Sequence, residues 1–165
     1  MRPVPHPVGP GQESCWSYPR PPALEPTERR IVVRFAGVVL ADTVGAYRVL
    51  ETSHPPTYYL PPSDVDARWL RPVTGRHSMC EWKGQASYVD VVCGDRVAEG
   101  AGFLYAHPSE RFAPIAGYLS FYAGPMDEVT VGGMVVTPQP GGFYSGWITP
   151  DVAGPFKGGP GSWGW

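Results

Sequence analysis

The sequence lacks the short motifs by which many enzymes are recognised. None of the patterns Gly-x-x-x-x-Gly-Lys-Ser/Thr, Gly-x-Ser-x-Gly and His-Glu-x-x-His occurs among its 165 residues. This absence excludes the usual forms of a nucleotide-binding phosphate loop, a serine hydrolase and a zinc protease. We therefore predict that the protein works without a cofactor.

A strong net charge and a long apolar run are also missing. The chain has 13 Lys and Arg against 15 Asp and Glu, which leaves a net charge of -2. Nucleic-acid-binding domains usually carry a basic surface, and a membrane-spanning helix needs about 18 consecutive apolar residues. Residues 1–14 contain no apolar segment of the kind that a secretory signal requires. We expect a cytoplasmic protein that binds neither nucleic acid nor membrane.

Cysteine is scarce, and its spacing does not suit a metal site. The three cysteines, Cys15, Cys80 and Cys93, form no closely spaced pair. Structural zinc sites normally use two such pairs, so we predict no metal. Free thiols in a reducing compartment are the expected state. An alternative interpretation sets Cys80 and Cys93 opposite each other across one hairpin.

Glycine and proline, by contrast, are abundant. Each contributes 21 residues, and they concentrate in residues 1–28 and 132–165. A disordered chain would be poor in aromatics, yet 13% of this chain is aromatic. Proline and glycine cost roughly 3 and 1 kcal/mol in helix interiors, which excludes a long helical bundle. We predict a Pro-rich N-terminal arm at 1–28, a core domain at 29–137 and a C-terminal arm at 138–165.

The core sequence predicts an all-β fold of short antiparallel strands. Short runs rich in β-branched and aromatic residues alternate with Gly and Pro turns. Two-residue turns at 36–37 and 132–133 indicate hairpins. The frequent turns favour a compact sandwich-like or tent-like arrangement in one domain. The predicted strands are 30–35, 38–42, 46–51, 57–60, 86–93, 96–98, 115–122, 128–131 and 134–137.

The C-terminal arm is too aromatic for a solvated tail. Its seven large apolar side chains are Phe143, Tyr144, Trp147, Ile148, Phe156, Trp163 and Trp165. A disordered segment would not normally carry so many. We expect both arms to be irregular but ordered and packed on the core. An alternative is docking of the aromatics on a second copy of the chain, which would make a homodimer.

Three blocks of the core resemble an uncharacterised bacterial family, domain of unknown function 427. These blocks are residues 51–65, 80–88 and 115–122, which read ETSHPPTYYLPPSDV, CEWKGQASY and IAGYLSFY. The resemblance covers about residues 30–131, and the C-terminal arm resembles an extension found in longer members. It implies a compact β-tent, in which two sheets meet at an angle, and no established activity. Other β-tent proteins often hold zinc through paired Cys-x-x-Cys motifs, which this sequence lacks.

The densest group of reactive side chains lies between His77 and Gly84. A nearby cation would lower the pKa of the Cys80 thiol and make it a nucleophile, whereas the alternative is a small buried hydrophobe. Lys83 beside an approachable backbone suits an anion contact, although Gly84 also suits the entry to a strand. Trp82 offers a surface for stacking.

His54 lies in a loop that two following prolines stiffen. A fixed imidazole suits a general base or a ligand contact, and the alternative is a solvent-exposed loop histidine. Glu51, three residues earlier, is placed to orient the ring. Tyr58 and Tyr105 belong to the aromatic residues that would line a pocket with polar tips.

These residues make up a predicted site in which His54, Cys80 and Lys83 are catalytic and the others bind the ligand, namely Glu51, Tyr58, Trp82 and Tyr105. We predict a small-molecule-binding protein or a cofactor-independent enzyme with an aromatic pocket. The alternative is a non-catalytic interaction or assembly module that uses its C-terminal arm.

Overall fold

Two of the hairpins predicted from the sequence, with turns at 36–37 and 132–133, fold as hairpins. A computed structural model describes residues 2–165, which leaves out only Met1 of the predicted N-terminal arm. The turns at 36–37 and 132–133 each join neighbouring antiparallel strands. Both central residues of each turn have positive φ. This backbone matches the right-handed twist of the strands that it connects.

The described residues are mainly β, with 43% of the chain in strands, which confirms the predicted fold class. Four short 3-10 helices lie between strands, at Cys15–Ser17, Pro62–Asp64, Ala67–Trp69 and Glu110–Ile115. The strands within residues 2–165 are β1 (Glu13–Ser14), β2 (Ala23–Pro26), β3 (Ile31–Phe35), β4 (Val38–Thr43), β5 (Tyr47–Leu50), β6 (Thr57–Tyr59), β7 (Leu70–Cys80), β8 (Gly84–Cys93), β9 (Arg96–Leu104), β10 (Leu119–Phe121), β11 (Glu128–Val131), β12 (Met134–Val135), β13 (Thr137–Pro138), β14 (Trp147–Ile148) and β15 (Val152–Ala153).

Two antiparallel sheets lie side by side and support the site. One has the order β2-β5-β6 and the other β10-β9-β8-β7. Leu60 and Leu119 join them, because each N–H donates to the other residue's carbonyl, at 2.7 and 2.9 Å. The two sheets therefore form one continuous row, β2-β5-β6-β10-β9-β8-β7, in which β6 and β10 are joined only by the bridge between Leu60 and Leu119.

A third sheet, of order β12-β11-β3-β4, supplies much of the main core. Its inward residues, among them Ile31, Val33 and Val131, are fully buried. They belong to the same apolar cluster as Val91 and Phe121 from β8 and β10. Burial of such side chains stabilises a fold by roughly 1.5–3 kcal/mol each.

Both arms pack on this core. β1 pairs with β15 in parallel, so the first and last strands of the fold meet. Trp147 of the C-terminal arm is fully buried, stacks on Tyr58 at 5.2 Å between ring centroids and donates its indole N–H to the carbonyl of Phe121 at 2.8 Å. The arm thereby contributes to the main core. None of the helices within residues 2–165 has both the length and the apolar character needed to cross a membrane.

The longest strand, β7, was not predicted from the sequence. It is the edge strand of its sheet, and most of its eleven residues are exposed. An edge strand tolerates proline and charge. Pro72, Gly75 and Arg76 therefore interrupt the apolar–polar alternation by which a strand is predicted from sequence.

Two further expectations need correction. The predicted strand 115–122 is paired only at Leu119–Phe121, because Ile115 ends a 3-10 helix that contains Pro114. Cys80 and Cys93 do not face each other across a hairpin. Cys80 pairs with Gly84 and Cys93 pairs with Arg96, at opposite ends of β8.

Candidate functional site

A cavity of about 520 Å³ opens where the β7–β8 turn, the β5–β6 loop and the C-terminal arm meet. This volume lies within the range of about 300–1,000 Å³ that is typical of small-molecule sites. The residues that line the cavity are Val49, Glu51, His54, Thr57, Tyr59, Arg76, Ser78, Met79, Cys80, Glu81, Trp82, Lys83, Tyr88, Phe103, Tyr105, Tyr122, Gly142, Phe143, Tyr144, Ser145 and Lys157.

Six of the seven residues of the predicted site line this cavity. Antiparallel pairing of β5 and β6 folds the loop between them back on itself and brings Glu51 and His54 to the cavity. The turn between β7 and β8 contributes the second group. Tyr105, directly after β9, completes the set, whose members are Glu51, His54, Cys80, Trp82, Lys83 and Tyr105.

Tyr58 lies elsewhere. It is adjacent to Tyr59 on β6, and successive side chains of a strand point to opposite faces. Tyr59 therefore lines the cavity, whereas Tyr58 packs into the main core against Trp147. The structure gives Tyr58 a packing role and no contact with the cavity.

The cavity contains a cluster of aromatic rings centred on Phe103. Four tyrosine rings surround it at centroid distances between 5.9 and 6.2 Å, namely Tyr59, Tyr88, Tyr105 and Tyr122. Burial raises the pKa of the Tyr59, Tyr105 and Tyr122 hydroxyls. These groups remain protonated at neutral pH, so the apolar surface carries neutral hydroxyl groups that donate and accept hydrogen bonds.

His54 is a buried, neutral histidine. Its side chain is 10% exposed, and the edge of its ring contacts Tyr144 at 4.7 Å between centroids. Burial, and after it the charges of Lys157, Arg20 and Lys83, lower the pKa of His54 to about 4. The alternative of a solvent-exposed loop histidine is therefore wrong. The imidazole carries no charge at neutral pH, so its 3.8 Å approach to the Glu51 carboxylate is not an ion pair.

Gln139 determines which nitrogen of His54 carries the proton. Its Oε1 accepts the N–H of Gly146 at 3.0 Å, and its Nε2 donates to the carbonyl of Lys157 at 2.8 Å. These two backbone partners set the orientation of the amide. The other Nε2 hydrogen then points to His54 Nδ1 at 3.0 Å, so Nδ1 accepts. The remaining hydrogen is on Nε2, which is a donor and not a base.

Lys83 is a mostly buried residue whose ammonium has no counter-charge. It is 9% exposed, and its ammonium lies 5.8 Å from the ring centre of Tyr105 and 5.7 Å from that of Phe112. Within residues 2–165, every ion pair involves other residues, and no hydrogen bond of the Lys83 ammonium is found. Aromatic faces attract a cation but do not replace an anion. The charge is thus left facing the cavity.

Cys80 is half-buried at the end of β7 and packs beside the aromatic cluster. It lies in the same apolar cluster as Tyr59 and Tyr105. The surroundings of Cys80 are therefore mainly phenolic. This environment suits a wall residue better than a nucleophile paired with a histidine base.

The family model described as a domain of unknown function, DUF427, matches residues 23–132, which is well over half of the chain. The chain belongs to the DUF427 family. This confirms the resemblance predicted over residues 30–131. Curated proteins yield no match.

One wall of the cavity lies outside the DUF427 match. Phe143, Tyr144, Ser145 and Lys157 line it, and they all belong to the C-terminal arm. Sequence reasoning did not assign these residues to the site. The scarcity of lysine was the one sequence signal for Lys157, because the chain has only two lysines and the other is Lys83. Arg76 was also missed, because it lies on β7, the edge strand that the sequence pattern did not predict.

The charges around the cavity are mixed, with an excess of cations. Arg76, Lys83 and Lys157 line it together with Glu51 and Glu81. Glu51 lies 3.4 Å from Arg20, which offsets its charge. Among residues 2–165 there is no group of three or more His, Cys, Asp or Glu side chains placed to hold a metal ion.

Proposed function

We propose that this DUF427 protein binds a small organic molecule in the cavity. The observation that carries the proposal is the combination of volume and lining: about 520 Å³, with aromatic rings around Phe103 and a few polar groups between them. Flat apolar surfaces of this kind hold a ligand by burial, and the polar groups orient it.

Binding is favoured over catalysis by the state of His54. Its Nδ1 accepts from Gln139 and its Nε2 carries the hydrogen, so neither nitrogen takes up a proton readily. A general base needs a pKa near the working pH. In this arrangement His54 donates a hydrogen bond to the ligand and Trp82 stacks on it, while Glu51 lines the cavity and pairs with Arg20.

Blocking the cavity tests the proposal. Thr57 lines it from β6 and is half-buried, so Thr57→Phe fills part of the space. The fluorescent probe N-phenyl-1-naphthylamine is neutral and aromatic. We expect it to bind the wild type and to lose at least tenfold in affinity in Thr57→Phe. Native mass spectrometry of protein purified from its own host should detect a ligand of matching size.

A matched control is available on another sheet. Thr130 is also a half-buried strand residue, on β11, and it does not line the cavity. Thr130→Phe should bind the probe as the wild type does. Ser78→Phe, which blocks the cavity from β7, covers the case in which Thr57→Phe does not fold. Equal probe binding by all four proteins, or none by the wild type, would refute the proposal.

A further inference from the structure

We infer that the ligand of this cavity is an aromatic anion, whose acidic group binds at Lys83. This inference rests on the proposed function and specifies its ligand class: a flat ring system that carries one carboxylate, sulfonate or phosphate group. It follows from the placement of charge in the cavity and not from the family, for which no ligand is established.

The first argument is the position of the unpaired Lys83 charge. The residue is nine-tenths buried and lines the cavity, and its ammonium has no carboxylate partner within residues 2–165. Charges that lie largely within a protein are normally paired. An anion in the cavity supplies the missing partner.

The second argument is that other donors converge on the same space. Lys157, the only other lysine, lines the cavity from the C-terminal arm, where its ammonium donates to the carbonyl of Trp165 at 3.3 Å. The charges of Lys83, Lys157 and Arg20 all act on His54. His54 itself presents an Nε2–H. Charge-assisted hydrogen bonds from such donors are the usual means of holding an acidic group.

The carboxylates of the cavity do not cancel its excess of positive charge. Glu51 is engaged by Arg20 at 3.4 Å, and Glu81 is exposed at the β7–β8 turn. Neither forms an ion pair with Lys83. The protein as a whole has a net charge of -2, so the positive character belongs to the cavity and not to the general surface.

The aromatic cluster determines the body of the ligand. Tyr105 is close to both the Lys83 ammonium and Phe103, since its ring centre lies 5.8 Å from the ammonium and 6.0 Å from the ring centre of Phe103. A ring bound against this cluster therefore has its acidic substituent within reach of Lys83. An aliphatic anion would satisfy the charge but leave the aromatic surface unused.

Two probes that differ by one acidic group test the inference. 8-Anilinonaphthalene-1-sulfonate has the same rings as N-phenyl-1-naphthylamine and adds a sulfonate. We expect the sulfonate probe to bind the wild type at least tenfold more tightly than the neutral probe. In Lys83→Met the ratio of the two affinities should fall towards one. Lys83→Arg should recover the sulfonate affinity to within about threefold.

The controls separate this inference from the proposed function. Arg34→Met removes an exposed cation of β3 outside the cavity and should change neither affinity. The Tm of ligand-free Lys83→Met should equal or exceed that of the wild type, because a cation without an ion-pair partner is removed from a mostly buried residue. Neutral-probe binding without any preference for the sulfonate, or a preference that survives in Lys83→Met, would overturn the anion inference alone. Failure of both probes to respond to Thr57→Phe would overturn the proposed function as well.

Discussion

His54 is the residue whose chemistry burial changes most. The pKa of a free histidine, 6.5, falls to about 4 in the folded protein, first because the ring is buried and then because three cations act on it. The unfolded chain recovers the value of 6.5. Acid therefore protonates the unfolded state first, and folding stability falls as the pH drops from about 6.5 towards 4.

The first prediction at the residue scale is a pH dependence that belongs to His54. Between pH 7 and 5 the wild type should lose about 2 kcal/mol of unfolding free energy through this one group. In His54→Gln this share should be absent, because glutamine does not titrate. Urea unfolding at both pH values measures the difference.

His107 provides the matched control. It is an exposed histidine after β9 and makes no contact with the cavity. His107→Gln should retain the pH dependence of the wild type. If His54→Gln also retained it, the neutral, buried state assigned to His54 would be wrong.

The C-terminal arm is the element on which the cavity wall depends, and it is held by close backbone contact. Gly141 and Gly158 both have positive φ, and a Cβ on Gly141 would overlap the carbonyl oxygen of Gly158. Only hydrogen fits between these two segments. Gly141 lies two residues after Gln139, which binds His54, and Gly158 directly follows Lys157, which lines the cavity, so their contact holds these two segments together.

The element-scale prediction compares two neighbouring glycines. Gly142 also has positive φ, but a Cβ there would meet nothing within 4 Å. Gly142→Ala should cost about 1 kcal/mol, the price of the left-handed backbone alone. Gly141→Ala should cost ~3 kcal/mol or more and weaken probe binding, because the backbones must separate. Urea unfolding and neutral-probe titration provide the readouts, and equal effects of the two substitutions would contradict the contact.

At the scale of the whole molecule, Trp147 connects the arm to the core. Its ring stacks on Tyr58, and its indole N–H donates to the carbonyl of Phe121. Its backbone N–H donates to the carbonyl of Pro56 at 2.9 Å. These contacts join β6, β10 and the arm. The loop between β5 and β6, which carries both His54 and Pro56, is therefore held in place by the C-terminal arm.

The whole-molecule prediction uses two tryptophans of the same arm. Trp147→Ala should lower the unfolding free energy by about 3–5 kcal/mol, as is usual for a large buried side chain. Trp163 is 59% exposed, so Trp163→Ala should cost under about 1 kcal/mol. Urea unfolding of both variants tests this. A small loss in Trp147→Ala would mean that the arm contributes little to folding.

The homodimer stays a prediction at this scale. Phe143 and Trp163 are both exposed, and their rings lie 6.0 Å apart. A second copy of the chain would cover them, and the molar mass in solution decides between monomer and dimer.

Much of the site could be predicted because its residues are local in sequence. Glu51 and His54 share one loop, and Cys80, Trp82 and Lys83 share one turn, so each group needs only one chain reversal to reach the cavity. Tyr58 was assigned to the cavity although its neighbour Tyr59 faces it, because the two side chains point to opposite faces of β6. Along a strand of adjacent aromatics such as Tyr58-Tyr59, the sequence shows that sides alternate but not which side faces the core.

By itself, the sequence determined the β class, the hairpin turns and the family, because turn chemistry and strand patterns act over a few residues. Only the tertiary structure decided which charges remain unpaired and which nitrogen of His54 holds its hydrogen. The hydrogen position on His54 depends on Gln139 of the C-terminal arm, which is far along the chain from the loop that it contacts. Burial and hydrogen-bond direction are set by neighbours in space, and local sequence does not encode them.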